Sequence, residues 1–209
     1  MRTVTVSGHG EARVVPDSAV VRVAAVHQAR GVGDALAGAD SAVRQIVATA
    51  GEHTTPERVG TTSVQIWPAV DQQGAPAGFQ ARHSVTIRCD DVAEAGALLT
   101  ALAESVGDRL QIDGVSLEVT DRSAAETAAR GAAYADAVDR GSHIAGLAGA
   151  ELGEPSAVME SAYAEAPSGR ARAAAMKAPV ALQPGEMSVT ASLTVTFELL
   201  GGGQGGDGP

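Results

Sequence analysis

The stretch Met187 to Leu200, MSVTASLTVTFELL, constrains this chain more than any other. Val189, Ala191, Leu193, Val195, Phe197 and Leu199 share one parity. Ser188, Thr190, Ser192, Thr194, Thr196 and Glu198 share the other. Alternate side chains of a strand point to opposite faces, so the pattern predicts a half-buried strand. Burial of its aliphatics and Phe197 is worth roughly 7–15 kcal/mol as an upper bound. Ordering the backbone costs about 1–2 kcal/mol per residue. The strand therefore needs a sheet beside it and helices over its apolar face.

What could form that sheet lies far upstream. Thr3 to Val15 reads as a strand, with Gly8-His9-Gly10 expected to bulge or bend it. Pro16-Asp17 is a turn signal, and Ser18 to Gln28, almost continuously apolar, is expected to pair antiparallel with the first strand. Arg58 to Val70 and Phe79 to Cys89 read as a hairpin around the Gly-, Gln- and Pro-rich turn Asp71 to Gly78. In the first of these, Val64, Ile66 and Val70 share a face and Trp67 points the other way. Leu110 to Thr120 is a further strand, with a bulge or tight turn expected at Asp113-Gly114. Ser156 to Tyr163 is a short one.

Three segments change to a helical period. Gly33 to Ala50 places Leu36, Ala39, Val43, Ile46, Val47 and Ala50 on one face. Asp91 with Glu94 marks the start of a second helix carrying Val92, Ala95, Leu99, Leu102 and Val106. Ser123 to Glu126 has the spacing of a capping box, and the helix after it runs to about Leu152. Tyr134, Ala137, Val138, Gly141, Ile144, Ala145, Ala148 and Leu152 fall on its apolar face. The order is β-β-α-β-β-α-β-α-β-β. It predicts an α+β fold with a mixed, largely antiparallel sheet and three helices packed on it.

Only 2% of residues are aromatic while 44% are hydrophobic, so the core must be built from small aliphatic side chains in close contact. The formal net charge of −10 argues against a nucleic-acid surface. No apolar run reaches the length of a membrane span, and the N-terminus lacks the apolar core of a signal peptide. As written, the chain is expected to be cytoplasmic; it would be periplasmic or secreted if an export signal had been trimmed. Cys89 is the only cysteine, which excludes an intramolecular disulfide.

Nothing in the sequence assembles a catalytic set. Gly8-His9-Gly10 fails the dinucleotide fingerprint because Arg13 stands where the third glycine belongs. The histidines, His9, His27, His53, His83 and His143, have no partners at metal-ligand spacing. His83 is expected to be a partly buried, hydrogen-bonded side chain and Cys89 a buried, inert thiol. Asp90, Asp91 and Glu94 are better explained by capping than by a metal. No catalytic residue, cofactor or metal is expected. Trp67, alone on the polar parity of its strand, is a candidate interface anchor. Arg170, Arg172 and Lys177, in the loop Ala164 to Gly185, are candidates for docking on an acidic neighbouring subunit.

Several of these segments together resemble the SIMPL-domain family. They are TVSGHGEARVVPDSAVV (Thr5 to Val21), SVQIWPAVD (Ser63 to Asp71), GFQARHSVTI (Gly78 to Ile87), GVSLEVTD (Gly114 to Asp121), AYADAVDRGSHIAGLAGAELG (Ala133 to Gly153) and PGEMSVTASLTVTFEL (Pro184 to Leu199). The resemblance covers residues 1–200 as one domain and leaves 201–209 as a Gly-rich flexible tail. It implies relatives among bacterial periplasmic or outer-membrane-associated immunogens, a protein linked to protection from oxidative stress, and an animal protein that binds a Pelle-like kinase. Some bacterial members form ring-like or channel-like oligomers. The implied function is a non-enzymatic, self-assembling scaffold or protein-interaction module, with a stress or envelope role. The alternative is a small-ligand module using a cleft beside the long helix. The missing export signal departs from the periplasmic members.

Overall fold

The computed structural model describes residues 2–160 and 181–201. The order of elements is β1 (Thr3–Val14), β2 (Ser18–Ala29), α1 (Val32–Ala50), β3 (Val59–Val70), β4 (Pro76–Cys89), α2 (Val92–Val106), β5 (Leu110–Glu118), α3 (Ser123–Leu147), β6 (Glu151–Glu160) and β7 (Met187–Leu200). The α+β class and the order agree with the sequence pattern. The strands divide between two sheets, β1-β7-β6 and β3-β4-β2-β5, and every ladder is antiparallel. The chain forms two compact units. Of the described residues, one comprises 2–14, 121–160 and 186–201, and the other comprises 15–120 and 181–185.

In the first unit β7 is the central strand. All twelve residues of β1 pair with it without a slip, from Thr3 opposite Glu198 to Val14 opposite Met187. β1 therefore does not pair with β2, contrary to the hairpin expected from Pro16-Asp17. The predicted apolar parity of β7 is the buried one: Ala191, Leu193, Val195 and Phe197 join Val4 and Val6 of β1 under α3. Gly8-His9-Gly10 is not a bulge. A Cβ on Gly8 would overlap the Ala133 carbonyl oxygen and lie 2.8 Å from Ala137 Cβ. A Cβ on Gly10 would overlap the Ala129 carbonyl oxygen. The two glycines let α3 lie directly on the strand's backbone.

α3 meets the sheet through Ala129, Ala133, Ala137, Gly141 and Ala145, a stripe at four-residue spacing, while Tyr134 and Ile144 stay exposed. The apolar face is thus narrower than the sequence reading, because small side chains allow the closest approach. Helix and sequence reading also part at both ends. Asp121, not Ser123, caps the start: its carboxylate accepts the Ser123 backbone N–H at 2.9 Å. At the other end Gly149 takes φ 64°, Ala150 N–H returns to the Ala145 carbonyl and Gly149 N–H to that of Gly146. That left-handed stop ends the helix at Leu147, before Leu152, and frees Leu152 for β6.

In the second unit α1 and α2 bury one face of the four-stranded sheet. Val21, Val23, Val85, Ile87, Ile46, Leu98 and Leu102 form its core. The α2 stripe is as expected, and Asp91 caps it by accepting Ala93 N–H. In α1, Ala35 and Ala42 are buried, whereas Leu36 and Val47 are exposed. The helix again settles on its alanines. The β5 irregularity at Asp113-Gly114 is present as a register shift opposite Arg22 and Val23.

Candidate functional site

The β3–β4 hairpin forms as the sequence suggests, with Val64 opposite His83, Ile66 opposite Ala81 and Trp67 opposite Gln80. The apolar parity of β4 is buried, but that of β3 is not. Val64 is 48% exposed, Ile66 37% and Val70 65%. The cause is position: β3 is the edge of the sheet, and α1 and α2 lie mainly over β2, β4 and β5. Trp67 is 38% exposed, on the face shared with Gln65, Gln80 and Arg82. The strand thus offers apolar side chains on both faces. Periodicity found the faces; it could not show that the strand ends the sheet. Arg170, Arg172 and Lys177 lie outside the described residues.

A second candidate lies in the first unit, beside the long helix. A groove of about 520 Å³ runs between β1 and α3, lined by Thr5, Val6, Ser7, Asp139, Arg140, His143 and Ile144. Arg140 of this lining is held by Asp136, whose carboxylate accepts the His9 backbone N–H at 2.8 Å and the Arg140 Nε–H at 2.9 Å. The His9 bond, then Arg140, holds the Asp136 carboxyl below its ordinary 3.8. A lowered folded-state pKa means that this stabilisation is present above the unfolded value and disappears as pH falls through the folded one. Asp136→Asn is therefore expected to be less stable than the parent at pH 7 in urea titrations, with the difference closing in acid below pH 3.8.

The remaining chemistry-bearing residues are dispersed. His83 is partly buried and its Nε2 lies 3.0 Å from Thr61 Oγ1. His53 Nδ1 meets Glu94 Oε2 at 3.0 Å. Cys89 is buried, and burial, followed by the nearby charges of Glu94 and Asp90, pushes its thiol above the ordinary value. An unreactive thiol follows. Arg82 reaches across to Asp113 and Gln111 of β5, joining strands on the face opposite the helices. Among the described residues, no three His, Cys, Asp or Glu side chains are grouped to hold a metal ion. Among them also, no helix is long and apolar enough to cross a membrane.

The family model SIMPL, described as "Protein of unknown function (DUF541)", matches residues 4–197. No curated protein matches the chain. One solved structure with detectable similarity is "The crystal structure of AtUAH in complex with (S)-hydroxyglycine". It is 14% identical, with a TM-score of 0.25, over 53% of this chain and 30% of its own. A likeness that weak carries no argument about fold or chemistry.

Proposed function

The chain belongs to the SIMPL family, whose description assigns no activity, and on that premise we propose that it is a non-enzymatic interaction protein that assembles with copies of itself. One observation carries this reading: Val64, Ile66, Trp67 and Val70 stand exposed together on the edge strand β3. Clustered exposed apolar side chains on a soluble protein mark interaction surfaces, and large aromatic anchors supply much of an interface's energy. The scaffold would serve the stress or envelope physiology that the resemblance implies. Light scattering after size-exclusion chromatography tests it. The expected mass in the micromolar range is a multiple of 20.9 kDa; a strict monomer contradicts the proposal.

The groove between β1 and α3 favours a second reading, a small-ligand module. Val6 and Ile144 would contact an apolar body, and Arg140 and His143 would contact a polar head. A ligand that binds only the folded state raises the melting temperature. A thermal-shift screen is expected to return hits whose shifts vanish in Ile144→Glu; hits unaffected by that change would place binding elsewhere.

A further inference from the structure

Among the described residues, β3 is hydrogen-bonded to β4 on one side and to no strand on the other. From Val59 to Val70 it carries no charged residue, in a chain whose net charge is −10. Edge strands of soluble proteins are guarded by charge, proline or bulges, and a stretch without a guard is a template for another strand; Pro68 and the register shifts at the two ends are such guards, and Ser63 to Trp67 between them has none. Register shifts near Thr62 and Ala69 bracket a regular run from Ser63 to Pro68. The charges flanking the strand are Glu57 and Arg58 before it, Arg58 being paired with Asp90, and Asp71 after it, whose carboxylate accepts the Gln73 and Ala75 N–H groups.

We infer that two copies of this chain join β3 to β3, antiparallel, about a two-fold axis passing Gln65. The inference rests on the self-assembly reading and names its surface. In an antiparallel ladder, facing residues share a face of the sheet, so the sum of paired residue numbers must be even. Centring on Gln65 sets Val64 of each copy against Ile66 of the other, a β-branched pair made twice. It also sets Trp67 against Ser63 on the opposite face, and it keeps Pro68, which lacks an N–H, outside the central pairs. Such cross-strand pairs are the unit that stabilises a sheet. A neutral strip is also where two bodies of the same net charge approach at least electrostatic cost. A strip that is self-complementary in register and neutral along its length fits a second copy.

Gln65→Cys tests the geometry, because facing Cα atoms about 4.5–5.5 Å apart suit a disulfide. Cys89 is buried and does not compete. Mild oxidation is expected to convert Gln65→Cys into a reducible dimer. Val70→Cys, whose two copies would stand roughly 34 Å apart, is expected to stay uncrosslinked. Ile66→Lys is expected to lower the mass seen by light scattering while leaving the circular dichroism unchanged. A parent protein that assembles, but whose Gln65→Cys variant crosslinks no better than Val70→Cys, overturns the edge pairing and leaves assembly to another surface. A parent protein that is monomeric overturns the self-assembly reading, and the pairing with it.

Discussion

Gly10→Ala is expected to cost roughly 3 kcal/mol or more, an unusually large effect for one added methyl group. The methyl would overlap the Ala129 carbonyl oxygen and crowd the Ala133 backbone nitrogen. Neither neighbour is the end of a flexible side chain. Relief would need α3 to lift from β1 along its length, breaking the contact of Ala129, Ala133 and Ala137 with the strand. Gly131→Ala makes the matched control. It lies on the exposed side of the same helix, with nothing within 4 Å of the added carbon. That change is expected to stabilise by about 0.5–1 kcal/mol through helix propensity. Chemical denaturation of the two variants beside the parent separates a packing cost from a general intolerance of alanine. Similar, small changes in both would contradict close helix–strand packing.

The second large effect is expected at the centre of β7. Leu193→Asp should leave the protein unfolded, since a carboxylate would replace a buried leucine among Val6, Val195 and Phe197 with no partner in its cluster. The loss is of the order of the whole stability of a domain, about 5–15 kcal/mol. Thr194, one position along, faces away from α3 and is only partly buried. Thr194→Asp is expected to be mild. Circular dichroism and expression as soluble protein read both outcomes. If the two variants were equally damaging, the face bearing Thr194 would itself be covered, and the first unit would have an interface of its own.

These two expectations also mark how far the sequence could be read. The alternation from Val189 to Leu199 was legible because burial on one face of a strand leaves a period of two, and Ala191, Leu193, Val195 and Phe197 are indeed buried. The stripe of α2 was legible for the same reason at helical period. The glycines of β1 were not, because a glycine that bends a strand and one that admits a helix look alike in a single sequence. Only the position of α3 distinguishes them. Alanine misled the helix faces in the same way. Leu36, Val47, Tyr134 and Ile144 outweigh alanine in a hydrophobicity pattern, yet the helices rest on Ala35, Ala39, Ala133 and Ala137. Close backbone approach favours the smaller side chain when most large ones are missing from the chain.

The candidate surface was half legible. Trp67 stood out as a lone aromatic on a polar parity, and it is exposed. Val64, Ile66 and Val70 were assigned to a face but not to solvent, because periodicity does not report where a sheet ends. That required the strand order β3-β4-β2-β5. The groove beside α3 was anticipated only as a place; its lining from Thr5 to Ser7 depends on β1 lying next to the helix, a long-range pairing that no local pattern encodes.

Hydrogen exchange on the intact protein, followed by mass spectrometry over a range of protein concentrations, addresses the central claim most directly. Self-assembly through the β3 edge predicts that protection of peptides covering 63–67 rises with concentration, while the core strands β2 and β4 keep the protection they already have. Protection of 63–67 that does not change with concentration, in a protein whose mass does, would contradict it.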